Sequence, residues 1–306
     1  MNLQDRLTEA VEAIDEWEGT WGPYETNPAS QVDAERFEEA WSSYLDRLDG
    51  NYPFFHPRYA GQMLKPPHPV AVAGYLAAMQ INPNNHALDG GPPTGRMEKE
   101  VVEKLVGMLG FPDAAIGHLT GGGTVANLEA LWVARTLHPE KKIAVSEEAH
   151  YTHRRAADLL DLDLVSIPAD RTGALDTDAL AERLEEAPIG TVVVTAGTTG
   201  RGRVDPIADV LEMAADAGVR VHADAAYGGF FALLARAGSD LVPEDDLRAL
   251  ARCDSLVIDP HKHGLQPYGC GCVLFADPAV GRVYQHDSPY TYFTSDELHL
   301  GEISLE

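Results

Sequence analysis

Lysine is scarce in this chain. Its 306 residues hold six, at Lys65, Lys99, Lys104, Lys141, Lys142 and Lys262, and Lys and Arg together number 23 against 48 Asp and Glu, a formal net charge of −25. A surface this acidic repels nucleic-acid phosphates and anionic membranes, so neither is expected as a partner. The acids are spread along the sequence rather than massed in one block, which argues against an acidic tail or a disordered activator. Few lysines with many carboxylates suit a surface kept hydrated in high salt, and the expectation is a halophilic protein; an acidic mesophilic enzyme is the alternative. Cysteine is nearly absent too. Cys253, Cys270 and Cys272 are odd in number and have neither disulfide-framework nor C-x-x-C spacing, so packing is their expected role and no metal is expected. No run of about 18 apolar residues is present to span a membrane. The N-terminal MNLQDRLTEAVEAIDEWEG carries acids throughout and lacks the apolar stretch of a signal peptide, so the expected location is the cytoplasm.

What is present is a hydrophobic content of 44%, enough for one large domain with a buried core, or one domain and a smaller arm. Helical spacing is expected over residues 3–18 and 33–48; in the second, Phe37, Trp41, Tyr44, Leu45 and Leu48 recur on one face. The segment NYPFFHPRYAGQMLKPPHP that follows reads as a long irregular connection, a kind of loop that is often functional. Helices are expected near 68–80 and 96–109, the second closed by Gly110 ahead of Phe111 and Pro112.

From about residue 118 the pattern alternates. TGGGTVANLEALWVAR is a glycine loop opening a helix, and KIAVS (142–146), LDLVSIP (162–168), TVVVTAG (191–197), VRVHADAAY (219–227), SLVIDPHKH (255–263) and CGCVLFA (270–276) read as strands. Between them lie helices over roughly 152–160, from the cap Asp176 to about 187, and from Asp205 and Pro206, read as N-cap and first-turn proline, to about 217. Short apolar strands alternating with helices imply an α/β fold with a mostly parallel sheet.

Three local features carry chemistry. Gly121-Gly122-Gly123-Thr124 at a helix start can bring backbone N–H groups and a hydroxyl to an anion, although a glycine turn is more often only a turn. Asp224 ends a strand, where parallel sheets bind ligands; it suits a metal, a ribose or a protonated ring nitrogen, and equally a helix cap. Lys262 follows a buried strand, where desolvation would make its amine nucleophilic; taken alone it reads better as a loop lysine reaching for water. Together, and in this order, an anion cradle, an acid and a lysine fit pyridoxal phosphate, which needs all three.

On these residues the sequence resembles the group II pyridoxal-phosphate-dependent amino-acid decarboxylases, which include the aromatic amino-acid, glutamate, diaminobutyrate and archaeal tyrosine/aspartate enzymes. The matching segments are GPPTGRMEKEVVEKLVGMLGF, TGGGTVANLEALWVAR, SEEAHYTHRRAADLL, TAGTTGRGRVDPI, VRVHADAAYGG and DPHKHGLQPYGCGCVLF, over roughly residues 50–300. The resemblance implies a fold-type I large domain of the aminotransferase-like kind and a homodimer whose small-molecule substrate is an amino acid. It implies that Lys262 forms the Schiff base and Asp224 pairs with the pyridine nitrogen. Ala226 and His150 would lie on the two ring faces, His150 also handling a proton. Gly123 and Thr124 would bind the phosphate with His261 nearby, and Thr199 would lie near the ring hydroxyl or Asp224. A mobile-loop tyrosine, Tyr290 or Tyr292, would serve as proton donor, with Tyr292 taken as the catalytic candidate.

The expected organisation is a helical arm and substrate-side loop over 1–65, a cofactor-binding domain over 66–300, and the start of a truncated small domain at 301–306, since family members continue beyond LHLGEISLE. A chain cut there is expected to bind the cofactor and turn over poorly. The alternatives are an aminotransferase or lyase of the same fold, a cofactor-binding paralogue without turnover, and a nicotinamide-dependent enzyme supported by the glycine loop alone.

Overall fold

A computed structural model describes residues 2–85, 88, 90–285 and 304–305. The chain divides into two units, Met1–Asn82 and Pro83–Glu306. The first is helical and takes in more than the arm expected to end at residue 65. Its helices are α1 (Leu3–Gly19), α2 (Ala34–Leu48) and α3 (Pro69–Ile81). Each begins on a side chain that accepts a first-turn N–H: Asn2 from Gln4, Asp33 from Arg36 and His68 from Val70. Helices α1 and α3 pack together. Helix α2 buries none of its residues; Phe37 stacks on Trp41, and Trp41 lies against Tyr44, all three well exposed.

The second unit is an α/β sandwich. In chain order it comprises α4 (Pro92–Leu109), β1 (Ile116–Thr120), α5 (Gly123–Leu137), β2 (Lys142–Ser146), α6 (Thr152–Leu160), β3 (Leu164–Ile167), α7 (Thr177–Glu186) and β4 (Ile189–Thr195). It continues with α8 (Ile207–Ala217), β5 (Arg220–Asp224), α9 (Ala232–Arg236), α10 (Glu244–Ala249), β6 (Ser255–Ile258), β7 (Gly271–Phe275) and α11 (Gly281–Tyr284). The seven strands lie in the order β1-β7-β6-β5-β4-β2-β3. All pairings are parallel except those of β7, which runs antiparallel to β6 and β1. Strand β4 is buried at every position, the mark of a sheet covered on both faces. Its side chains alternate: Val192 and Val194 enter one core with Leu180, Val210, Leu211 and Leu250, while Val193 joins Leu131, Ala134, Ile143 and Ala156 on the other face. Among the described residues no helix is long and apolar enough to cross a membrane.

Strand β1 was not expected from the sequence, which assigned its last residues to the glycine loop. IGHLT is short and carries a polar His118, and only the structure shows why that histidine is tolerated. Its Nε2 lies 2.7 Å from Glu129 on α5, which also accepts from the hydroxyl of Tyr284 on α11 at 3.0 Å, all within the protein interior.

Asp205 also departs from expectation. It was read as the N-cap of α8, but Pro206 occupies that position. The buried Asp205 carboxylate instead accepts from the N–H of Thr195 at the end of β4 (2.7 Å) and from Leu175 N–H (2.8 Å), tying two connections together. Proline following an aspartate suggests a helix start, but two orphan N–H groups from elsewhere in the chain compete for the same carboxylate and win.

Burial lifts the Asp205 carboxyl to about 6 from a model-peptide value of 3.8, against the two backbone bonds that favour its charge. Between those pH values the folded chain holds a proton that the unfolded chain has released. Stability from this group is therefore complete below pH about 4 and is lost as pH rises through about 6. Asp205→Asn is expected to remove that slope from melting curves taken between pH 4 and 7. Asp205→Ala, which strands both N–H groups, is expected to cost roughly 2–5 kcal/mol in urea denaturation at pH 7.

Candidate active site at the carboxyl edge of the sheet

Strands β1, β2, β4, β5 and β6 run the same way, so their carboxyl ends share one edge of the sheet. That edge therefore carries Thr120–Gly123, the segment leading to His150, Asp224 with Ala226, and Asp259 through Lys262. Ligands of open α/β sheets bind at such an edge.

The glycine loop turns directly from β1 into α5. Gly122 sits at φ +143°, a conformation L side chains avoid, and a β-carbon there would lie 3.3 Å from the His261 ring. At Gly123 a β-carbon would meet the two Asp259 carboxylate oxygens at 2.9 and 3.1 Å and the Ala226 methyl at 3.2 Å. Glycine is needed here because three segments converge on the loop backbone. The loop is fixed from beneath. Asn127 donates to the Gly123 carbonyl at 2.7 Å, His222 Nε2 donates to the Asn127 oxygen at 2.9 Å, and Ser255 donates to His222 Nδ1 at 2.9 Å. Burial pulls the His222 imidazole down to about 3, with the field of His153 acting the same way and that of Asp224 opposing. It is therefore neutral, with one N–H to give. The N–H groups of Val125 and Ala126 already bond the Gly122 carbonyl; with the Gly123 carbonyl held inward, the N–H groups of Gly123 and Thr124 at the start of α5 form the anion cradle.

Asp224, buried at the end of β5, accepts from His153 Nε2 at 3.0 Å and from the Ala226 N–H at 3.2 Å. Burial would push its carboxyl up, but the His153 hydrogen bond and the fields of His153 and Lys262 override that and hold it well below the ordinary carboxylate range. It is a carboxylate at any working pH. His150, half-buried, takes the Thr152 N–H on Nδ1 (3.3 Å) and has the Thr152 hydroxyl 2.8 Å away; that hydroxyl is 3.4 Å from the Thr124 hydroxyl. Burial lowers the His150 pKa, as do Lys262 and His153, against the pull of Asp224. Its Nε2 therefore carries the ring proton at neutral pH.

The Lys262 ammonium lies 3.1 Å from Asp259 Oδ2, and His261 Nε2 lies 3.7 Å from the same oxygen. The second carboxylate oxygen, Oδ1, is buried and has no hydrogen-bond partner among the described residues. Burial raises the Asp259 carboxyl above its usual range against the pull of Lys262 and His261. A buried oxygen without a partner, beside a cradle that tolerates no side chain, is the signature of a site built around a polar group.

Of the residues singled out in the sequence, Gly123, Ala226, His261 and Lys262 converge on this edge around Asp259, and Thr124 joins His150 through Thr152. Thr199 is exposed; its neighbour Thr198 is the buried one, accepting the Arg203 N–H at 3.1 Å. Tyr290 and Tyr292 lie outside the described residues. Sequence reasoning missed Asp259, His153, Asn127 and Thr152. Asp259 carried the same signal as Asp224, an acid at the end of a buried strand. Asn127 and His153 carried no such signal: His150 precedes α6 while His153 lies on it, and the partners of both residues, His222 and Asp224, are distant in sequence.

Residues 54–290 match the pyridoxal-dependent decarboxylase conserved domain. The chain belongs to that family. It is 36% identical over 235 residues to the probable L-tyrosine/L-aspartate decarboxylase of Methanothermobacter thermautotrophicus, covering 76% of this chain and 63% of that protein. It is 32% identical over 242 residues to the L-aspartate decarboxylase of Thermococcus kodakarensis, covering 78% of this chain and 62% of that one. The chain thus spans less than two thirds of the length of these relatives. Among solved structures, mouse CSAD superposes with a TM-score of 0.79 over 99% of this chain and 70% of that one, at 22% identity, a likeness of fold.

The family's cofactor is pyridoxal phosphate, and the residues present fit it: an anion cradle at α5, a buried carboxylate at Asp224 and a lysine amine at the same edge. Gly123→Ala is expected to weaken pyridoxal phosphate binding at least about tenfold, roughly 1.4 kcal/mol, with the far-UV circular dichroism unchanged. Equilibrium dialysis against the wild type measures it.

Proposed function

We propose that this chain carries the cofactor-binding machinery of an amino-acid decarboxylase that releases CO2 from an L-amino acid, and that the amino acid is tyrosine or aspartate. The supporting observation is the meeting of the Lys262 amine, the Asp224 carboxylate and the glycine cradle at one edge of the sheet, within a chain of the decarboxylase family. The names of the archaeal relatives favour the two substrates.

Pyridoxal phosphate supplies an electron sink for the pair left behind when a carboxylate departs. The chain's own groups do the rest. Lys262 offers the amine that would hold the cofactor. Asp259 keeps that amine in place before the cofactor arrives. Asp224, held as a carboxylate, would accept a charge-assisted hydrogen bond from the protonated ring nitrogen. Gly123 and Thr124 hold the phosphate, with His261 beside them. Ala226 would lie against one ring face and His150 against the other, its Nε2–H available to the substrate's carboxyl region; Thr199 would stand near the ring hydroxyl or Asp224, and Tyr292 would serve as proton donor. The exposed aromatic face of α2, with Phe37, Trp41 and Tyr44, supports a homodimer, since such faces mark contacts. Three free cysteines suit a reducing cytoplasm, and the net charge of −25 suits assays in molar salt.

Borohydride reduction of the holo-chain followed by peptide mass spectrometry is expected to find the pyridoxyl group on Lys262; an adduct on Lys99 or Lys141 defeats the assignment. CO2 release is expected from tyrosine or aspartate in preference to glutamate and diaminobutyrate, whereas keto-acid formation would redirect the reading to an aminotransferase. Asp224→Asn is expected to slow any turnover by orders of magnitude while the phosphate contacts keep the cofactor bound.

A further inference from the structure

The segment HYTHRR, residues 150–155, sends two imidazoles toward the site. His150 is half-buried, and His153, in the first turn of α6, is completely buried. A buried histidine requires partners. His153 has one, the Asp224 carboxylate at 3.0 Å from Nε2, while its Nδ1 has none among the described residues. Because Asp224 accepts, the proton lies on Nε2.

We propose that His153 is a positioning residue for Asp224, fixing the carboxylate so that its remaining lone pairs are presented to the cofactor's ring nitrogen. This rests on the reading of Asp224 given above. The hydrogen-bond inventory supports it. A carboxylate offers about four acceptor sites. The backbone fills one on Oδ1 with a long bond from Ala226 (3.2 Å), and His153 fills one on Oδ2. Without His153 the group would hang on that one long bond, free to rotate.

The same removal would change its charge. Asp224 is buried, and burial favours the neutral acid; His153 opposes it both as a hydrogen-bond donor and through its field. The other groups acting on Asp224 are Lys262 from the β6 end and His222 from two residues earlier on its own strand. Asp224 and Asp259 disfavour each other's charge, and His150 feels the Asp224 field as well. Of these, Lys262 is committed to Asp259 at 3.1 Å and His222 is neutral. His153 is therefore the group that keeps an acceptor, rather than a donor, opposite the ring nitrogen.

The test compares His153→Leu, His153→Met, His153→Gln and Asp224→Asn as holo-proteins loaded with pyridoxal phosphate labelled with nitrogen-15 in the ring, read by NMR between pH 6 and 9. Near-UV circular dichroism establishes folding, and Met stands in if Leu does not fold. In the wild type and the Gln variant, whose amide can donate to Asp224, the ring nitrogen is expected to stay protonated across the range. In the Leu or Met variant and in Asp224→Asn it is expected to lose its proton within it. For whichever substrate is turned over, kcat is expected to fall at least about tenfold in the Leu or Met variant, the loss of one charge-assisted bond, with KM little changed, and to recover in Gln. A Leu or Met variant that keeps the ring nitrogen protonated while Asp224→Asn loses it overturns the proposal, leaving His153 as a packing residue. An unchanged signal in Asp224→Asn as well also overturns it, and identifies the placement of Asp224 at the ring nitrogen as the step that failed.

Discussion

Burying Asp224 at the end of a central strand is the constraint around which the rest of this site is arranged. A carboxylate removed from water is stable only if donors and positive fields replace the water, and the donors cannot come from its own strand, whose N–H groups belong to the sheet. They come from α6 through His153, from the turn through Ala226, and electrostatically from the β6 edge through Lys262. Each lies at the carboxyl edge because the strands that lead to it run parallel. The topology therefore places the groups together, and the electrostatic cost of the carboxylate explains why they must be these groups. Lys262 in turn cannot be left alone in a half-buried setting, and Asp259 supplies its counter-charge.

The sequence made the parallel strands and their helices legible because continuous apolar runs and capping residues are local signals. VRVHADAAY and SLVIDPHKH each announce a buried strand ending in chemistry, and Asp176 caps α7 as its position suggests, accepting from Asp178 and Ala179. Strand β1 was hidden because two of its five residues, Gly117 and His118, are poor strand formers by propensity; they are accommodated by β7 and by Glu129, both distant in sequence. Asp205 was misread for a related reason: its partners, Leu175 and Thr195, lie 30 and 10 residues away. In the site, the residues that would touch a ligand were readable as a pattern of glycine, acid and lysine. Those that hold them, Asn127, Thr152, His153 and His222, were not, because a supporting contact has no fixed spacing and exists only once the sheet has brought α5, α6 and β5 together.

The two units use their aromatic residues differently. In the second, Trp132, Phe275 and the buried Tyr284 pack edge to face around the His118–Glu129 pair, where a ring both fills space and, through the Tyr284 hydroxyl, satisfies a buried acid. In the first, the rings of α2 stack on one another along a face that is about half exposed.

The hydrogen bonds beneath the glycine loop run in one direction only. Ser255 gives to His222, His222 gives to Asn127, and Asn127 gives to the carbonyl of Gly123. Such an aligned chain reinforces itself, each bond polarising the next, and its order is set by a single imidazole that takes up a second proton only near pH 3. The dipoles beneath the cradle therefore point the same way at pH 5 as at pH 9.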